Sequence, residues 1–508
     1  MLAVTTILAS LGLLTSAAAP VGAVSGPLPG PVAAWSTTVG TDGRVYIADE
    51  QGRARQLRGG NHKTDDPDTL TNDLLAAAAE RGLDHIRLGI YWQFLEPTQD
   101  NFDGAYLAKI EAALDRAQAH GILVILDMHQ DVFGEAFGST GVPAWATRTD
   151  GVPFEPQSVW LLNYLQPAVQ NAFDHLYEDA DLRQHQIDVW MYVVNAVKDH
   201  PAVLGYDLMN EPFGKLATGE DFPTAAARVE SQQLTPMYQR LTDNIAAVDD
   251  DHWVFIEPPN LASIGITTSL GNVIGPKVAV YPHMYDASIE GATYSPGGVV
   301  QYDASFFAKW SNAISPYVAT NPMPMLVGEW GVANPEAGGM DAFVRDSLVT
   351  LDDVGSGWSV FNWCFGSGYC PLDAAGNDRP GIEQIFHPYA RAVAGAPTHT
   401  RWNPTSRSLH VQFTRNGATG TTEIFLPVSR RYVDGWKVST SDGENEWSSA
   451  FNETTGVLSV SSSAAAGEHA ICVTPANVTS ACAVVAAESP TTTAPPTSIP
   501  VATPTFTG

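Results

Sequence analysis

The sequence predicts a (β/α)8 TIM barrel followed by a C-terminal antiparallel β-sandwich, and three observations carry that reading. Between about Arg53 and Gly395 eight short apolar runs alternate with amphipathic stretches, as expected of repeated βα units around a parallel sheet. Polar residues gather at the C-terminal ends of many of these runs, which is where a barrel collects its site. After Pro397 the texture changes to short β-rich segments punctuated by Gly, Asn and Asp. An open doubly wound sheet is the competing arrangement, but no Gly-rich phosphate loop follows the first run.

The eight runs are RQLRGG near Gln56, HIRLGI at His85, ILVILDMH at Ile122, VLGYDLMN at Val203, WVFIEP at Trp253, VAVYPHMY at Val278, PMLVGEWG at Pro324 and SVFNWCF at Ser359. Ile122 to Leu126 is apolar throughout, as in a strand covered on both faces. Leu107, Ile110, Leu114 and Ala117 recur at helical spacing, as do Met237, Leu241 and Ile245. The barrel is expected over 30–395 and the sandwich over 398–486, the latter from SLHVQFTR, TTEIFLPV, GWKVSTS and GVLSVSSS. The sandwich reads as a packing partner for the barrel; a carbohydrate-binding module is the alternative, although no exposed aromatic row is evident. Residues 487–508 form a Thr/Pro-rich tail, expected to be an extended stalk or linker.

Residues 1–24 read as a signal peptide, with an apolar stretch followed by Ala17, Ala18 and Ala19. As a membrane anchor, Leu2 to Leu14 falls short of the ~20 residues that span a bilayer. A secreted, extracellular, monomeric protein is therefore expected. Four cysteines fall as two close pairs, Cys364 with Cys370 and Cys472 with Cys482, which fits two local disulfides in an exported chain. With 55 Asp and Glu against 26 Lys and Arg, the net charge of -29 argues against nucleic acid as a partner and against anionic bilayers.

Hydrolysing an acetal requires a proton for the departing oxygen and a partner for the oxocarbenium-like carbon, which two carboxylic acids can supply from opposite sides of the bond. Tyr206-Asp207-Leu208-Met209-Asn210-Glu211-Pro212 ends the fourth strand with Glu211, and Met325-Leu326-Val327-Gly328-Glu329-Trp330-Gly331 ends the seventh with Glu329. Singly, these are a helix N-terminal carboxylate and a salt-bridged loop residue; jointly they are a catalytic pair. Arg87, inside an apolar strand, carries a charge that is costly to bury alone, and Glu329 is its natural partner. Tyr285 is a second donor to Glu329. His129 and His283 end the third and sixth strands and are placed to touch sugar hydroxyls; no third ligand at metal-site spacing accompanies them, so no metal and no cofactor are expected. Asn210 is placed to bond a sugar 2-hydroxyl, and Trp363 to stack on a sugar's C–H surface or to serve as a core aromatic.

These residues resemble glycoside hydrolase family 5, in clan A of the retaining enzymes, over nearly the whole barrel, and within it the endoglycoceramidases. The resemblance is carried by Leu126 to Phe133 (LDMHQDVF), Pro143 to Thr147 (PAWAT), Glu155-Pro156-Gln157 and Tyr206 to Gly214 (YDLMNEPFG). It implies Glu211 as acid/base and Glu329 as nucleophile, with Arg87, His129, Asn210, His283, Tyr285 and Trp363 around the sugar beside the scissile bond, and Asp131 and Lys63 on glycan hydroxyls. The implied substrate is an oligosaccharide β-linked to ceramide, cut by double displacement, with membrane or micelle contact through the substrate only. Ceramide requires an apolar groove, for which Phe133, Phe137, Trp145, Trp160 and Phe213 are candidates, ordinary loop packing being their other reading. Trp330 and the Asn362-Trp363-Cys364-Phe365 segment depart from the family pattern. The competing functions are another family 5 β-glycosidase, such as an endoglucanase or a glucosidase on simple glycolipids or sterol glucosides, and a non-catalytic glycan-binding surface protein.

Overall fold

The computed structural model describes residues 27–293, 299–300, 302–478 and 482–484; the expected signal peptide and Thr/Pro tail lie outside them. Eight parallel strands form the barrel: Leu57–His62, His85–Ile90, Leu123–Met128, Val203–Asp207, Trp253–Ile256, a sixth in two pieces (Val278–Val280 and His283–Met284), Val327–Trp330 and Gly357–Val360. Pro282 interrupts the sixth strand because proline has no N–H for the ladder. The eighth strand pairs with the first (Gly357 opposite Leu57), and the sixth meets the seventh at Val280–Met325 and His283–Glu329, so the sheet closes.

Alternation along the strands decides what faces the interior. Leu123 and Ile125 share the inner cluster with Trp253, Phe255, Tyr281 and Leu326, whereas Val124 and Leu126 face the helical layer. The same period-two face carries Ile125 on to Asp127 and His129, Phe255 on to Glu257, and Tyr281 on to His283, at the mouth of the barrel. The helix Gly104–Ala119 covers one outer face: Asp103 caps it by accepting from Ala105 N and Tyr106 N, and it buries Leu107, Ile110, Leu114 and Ala117. Among the described residues no helix is long and apolar enough to cross a membrane.

The sandwich reaches further back into the sequence than expected. Ser36–Val39, Val45–Ala48, Ala54–Arg55 and Tyr389–Val393, all within the predicted barrel range 30–395, pair into one seven-stranded sheet with Thr422–Phe425, Val457–Ser461 and Ser448–Asn452. The four-stranded sheet of Ala396–Asn403, Ser408–Thr414, Glu468–Pro475 and Trp436–Thr440 completes the domain. The physical reason lies in Val45–Ala48: Tyr46 packs into the sandwich core, while Ile47 joins the inner barrel cluster with Leu57 and Trp35. One strand buried on both faces thus belongs to both cores. Two disulfides, Cys364–Cys370 and Cys472–Cys482, are formed as the spacing predicts.

Candidate active site

Parallel pairing of the sixth and seventh strands sets His283 beside Glu329. From the second strand Arg87, 1% exposed, reaches into the same mouth and sits among carboxylates. Its Nη1 donates to Glu329 Oε1 at 2.6 Å and to Asn61 Oδ1 at 3.0 Å; Nε donates to Asp207 Oδ2 at 2.8 Å; Nη2 donates to Glu257 Oε1 at 2.8 Å and Asn210 Oδ1 at 2.9 Å. Asp127 Oδ1 lies 3.0 Å from Nη2. All five guanidinium N–H groups are directed at oxygen, which is how a fork of donors becomes tolerable without water. Tyr285 O–H donates to the other oxygen of Glu329 at 3.1 Å.

Glu211 follows the fourth strand in a left-handed conformation, φ +42°, that a side chain rarely adopts. Two neighbours hold this turn. Glu257 Oε2 accepts from Glu211 N at 2.8 Å, and Gln130 Nε2 donates to the carbonyls of Asn210 and Glu211 at 2.9 and 2.8 Å. Strain of about 1–3 kcal/mol is typical of such residues and persists only where surroundings over-determine it. Its consequence is direction: the carboxyl of Glu211 is turned toward His283, whose Nδ1 donates to Oε1 at 2.9 Å.

Glu211, His283 and Glu329 each place one side-chain atom within 4.8 Å of the others. Carboxyl groups about 5–5.5 Å apart are those of retaining enzymes, whereas inverting pairs stand about 6.5–9.5 Å apart to admit a water. The three side chains are also close enough to surround an ion, which sequence spacing did not show. Burial opposes a charge on the imidazole, but Glu257, Glu329 and the bond to Glu211 prevail and raise its affinity for a proton well above the ordinary range. Burial drives the Glu211 carboxyl upward, the His283 bond pulls it down, and nearby Glu329 and Glu257 push it up again, leaving it raised. A raised carboxylic acid beside a carboxylate clamped by Arg87 and Tyr285 is the division of labour that acid-assisted displacement requires. Burial and Glu257 push Asp207 well above the usual carboxylate range despite Arg87, while burial of Glu257 is outweighed by His283, Arg87 and Glu211 N, which lower it.

A second arm of the mouth comes from the first and third strands. His129 Nδ1 lies 2.6 Å from Asp127 Oδ2, and its Nε2 faces Asp131 Oδ2 at 3.6 Å and the Asn210 amide nitrogen at 3.4 Å. Burial disfavours the charged ring, but Asp127 and Asp131 raise it to about 9. Lys63 Nζ pairs with Asp131 Oδ2, and its backbone N donates to Asn362 Oδ1 at 3.2 Å. Lys63 and Asp131 thus meet at the cleft although 68 positions apart in sequence.

Some expected site residues lie elsewhere. Trp363 is fully buried, with Nε1 donating to Leu74 O at 2.9 Å and its ring edge-on to Phe386; it is a core residue with no face left for a sugar. Phe361, at the end of the eighth strand, is half-buried and packs edge-on against Tyr369, and is the aromatic that sequence reading missed there. Four of the five groove candidates are packing residues: Phe133 stacks edge-on with Phe137 and Phe173, Phe213 packs against Tyr164 and Phe173, and Trp145 donates to Glu96 O and abuts Trp92. Only Trp160 of these is exposed, at 44%, next to Val159 and Leu162. An apolar recess follows the acid on the other side, lined by Phe213, Gly214, Leu216, Phe222, Pro259 and Leu261. Trp330, 1% exposed, packs edge-on against Trp358 in the outer layer and does not face the mouth. Glu257, Asp127, Asp207 and Asn61 were not singled out from sequence, although Glu257 closes WVFIEP and Asp127 precedes His129 by the period of a strand.

A family model described as Cellulase (glycosyl hydrolase family 5) matches residues 48–367, more than half of the 508-residue chain, and a second, the glycoside hydrolase family 5 C-terminal domain, matches 387–473. Endoglycoceramidase I of Rhodococcus hoagii is 27% identical over 431 residues, covering 80% of this chain and 83% of that protein. The structure of endo-glycoceramidase II from Rhodococcus sp. with ganglioside GM3 superposes with a TM-score of 0.75 at 28% identity, over 85% of this chain and 100% of that one. The lactosyl-enzyme intermediate of the same Rhodococcus enzyme gives 0.72 at 28% identity, over 85% and 99%. With one family 5 model spanning 48–367 and the family's C-terminal domain spanning 387–473, the chain belongs to glycosyl hydrolase family 5.

Proposed function

We propose that the chain is a retaining endoglycoceramidase, which cleaves the β-glycosidic bond between an oligosaccharide and ceramide and releases both intact. The approach of one oxygen each of Glu211 and Glu329 to within 4.8 Å supports the retaining mechanism, and the likeness to endoglycoceramidases over 80–85% of the chain supports the substrate. Glu329, oriented by Arg87 and Tyr285, attacks the anomeric carbon; Glu211, whose hold on a proton is strengthened by burial and by its carboxylate neighbours, gives its proton to the departing oxygen. A ceramide alkoxide is a poor leaving group, so this proton governs the first step. In the second step Glu211 takes a proton from water, which displaces Glu329 and restores the starting state.

The glycan lies over Arg87, Asn210, His129, Asp131 and Lys63, while the ceramide runs past the apolar surface of Leu216 and exposed Phe222 beyond the turn of Glu211. Contact with a membrane or micelle runs through this substrate. Export is supported by the two disulfides, which persist in oxidising compartments. The protein works as a monomer, every side chain of the proposed mechanism coming from one barrel.

The test is product analysis by mass spectrometry after incubation with a ganglioside, lactosylceramide, a monohexosylceramide and a soluble β-glucan, with Glu211→Gln and Glu329→Gln in parallel. Release of intact glycan and ceramide by the parent alone is expected. Cleavage of the glucan with every glycolipid untouched would overturn the substrate and leave the two-carboxylate chemistry standing; binding without turnover on any glycoside would make the barrel a lectin.

A further inference from the structure

A cavity of about 150 Å³ opens at the seam between barrel and sandwich and shares no lining residue with the catalytic centre. Its walls come from the barrel helix Met340–Val354, from the sandwich strand Ala396–Asn403 with the turn after it, and from the short helix Val428–Arg431. Five arginines line it, in a chain that has only 26 Lys and Arg against 55 Asp and Glu. Composition alone would make such a cavity acidic, so the concentration of guanidinium calls for a partner.

Some of that charge is neutralised within the fold. Arg401 pairs with Asp353 at 2.6 Å, and Arg430 with Glu80 at 2.8 Å and Asp378 at 2.6 Å. Asp352, the other carboxylate of the wall, is taken by Arg58 at 2.6 Å. Three cations remain. Arg407 makes no ion pair among the described residues, Arg431 spends Nε and Nη2 on the carbonyls of Phe386 and Glu383, and Arg345 approaches only Asp341, at 3.9 Å. Beside them stands the half-buried indole of Trp402, parallel to the ring of buried His387 at 6.1 Å and edge-on to Tyr432.

We infer that this cavity is a binding site for a carboxylated pyranose, an acidic sugar unit. Guanidinium is a planar fork that matches a carboxylate with two parallel hydrogen bonds, and an indole face accepts the C–H surface of a pyranose. The site is independent of the cleavage reaction: it would hold an acidic glycan, whether on a lipid or on a free saccharide, at the junction with the sandwich.

The test is calorimetric titration and saturation-transfer NMR of the full chain with N-acetylneuraminic acid, glucuronic acid, lactose and sodium sulfate. Both acids are expected to bind and lactose not to; Arg407→Ala is expected to weaken the acids roughly tenfold, the loss of one charge-assisted hydrogen bond, and Trp402→Ala to weaken them as well. Hydrolysis of a soluble aryl β-lactoside should be unchanged in both variants, whose folding is checked by circular dichroism. Absence of acid binding, acid affinity unchanged in Arg407→Ala, or equal binding of lactose would overturn the site. Sulfate binding as tightly as the sugars would overturn its sugar specificity.

Discussion

Protonation of His129 links the stability of the protein to pH, and its buried carboxylate neighbours set the sign. The ring is 3% exposed, and its Nδ1 lies 2.6 Å from Asp127 Oδ2. Burial alone would lower its affinity for a proton; Asp127 and Asp131 reverse that and raise the folded value to about 9 from the ordinary 6.5. The folded state therefore binds the proton more tightly than the unfolded chain. The stabilisation is fully present below about 6.5 and is lost as pH rises through about 9. At 1.36 kcal/mol per pH unit the gap corresponds to about 3 kcal/mol. The perturbation is His129→Asn, whose amide can still donate to Asp127 but cannot carry charge. Urea denaturation of both proteins from pH 6 to pH 10 is the assay, since groups outside the Asp127–His129–Asp131 cluster titrate alike in both and drop out of the difference. The parent should exceed the variant most at pH 6, and the difference should shrink by about 3 kcal/mol toward pH 10. A difference that stays flat across that range, or grows with pH, would refute the assignment of a buried imidazolium.

Three further outcomes are expected. Arg87→Met strands Asp127, Asp207, Glu257 and Glu329 without their common cation; denaturant titration at neutral pH should show a loss of about 3–5 kcal/mol, and an unmoved midpoint would contradict it. Tyr285→Phe removes the 3.1 Å donor from Glu329 and should lower kcat on an aryl β-lactoside roughly 10- to 100-fold, as for a hydrogen bond to a charged group, with KM little changed; a change within about twofold would show the bond to be idle. Trp363→Ala should cost about 3–5 kcal/mol of stability while the KM for the same substrate, measured well below the melting temperature, stays at the parent value. A raised KM with unchanged stability would restore Trp363 as a sugar platform.

The barrel and the inner site were legible because both follow from strand periodicity. A buried parallel strand writes its position as an apolar run, and the residue that ends it must enter the mouth, so Glu211, Glu329, His129 and His283 could be placed from sequence. Arg87 was legible for a related reason: a permanent charge in the middle of HIRLGI has to be answered by carboxylates. The same logic extended one step would have found Glu257, two positions beyond inward-facing Phe255, and would have shown that Arg87 answers a group of carboxylates rather than Glu329 alone. The early strands of the sandwich were not legible. Val45–Ala48 satisfies two cores with adjacent side chains, and in sequence such a strand looks like any other buried strand.

The aglycone side resisted sequence reading for a different physical reason. An aromatic residue in a long loop gains by burial wherever it lands, and nothing in its identity distinguishes a groove wall from a second core. Phe133, Phe137 and Phe213 took the second course: with Tyr164 and Phe173 they form an aromatic cluster. That cluster is not remote from the chemistry. Tyr164 O–H accepts from Val132 N at 2.8 Å, and Gln130, three residues before Phe133, accepts from Phe133 N at 2.7 Å while donating to the carbonyls that fix the left-handed turn at Glu211. Residues chosen as lipid contacts thus hold the loop that aims the acid. Enlarging the groove by trimming Phe133 would then disturb the proton donor before it altered lipid preference, whereas Phe222 and Leu216, at the recess on the far side of that turn, can change without moving Gln130.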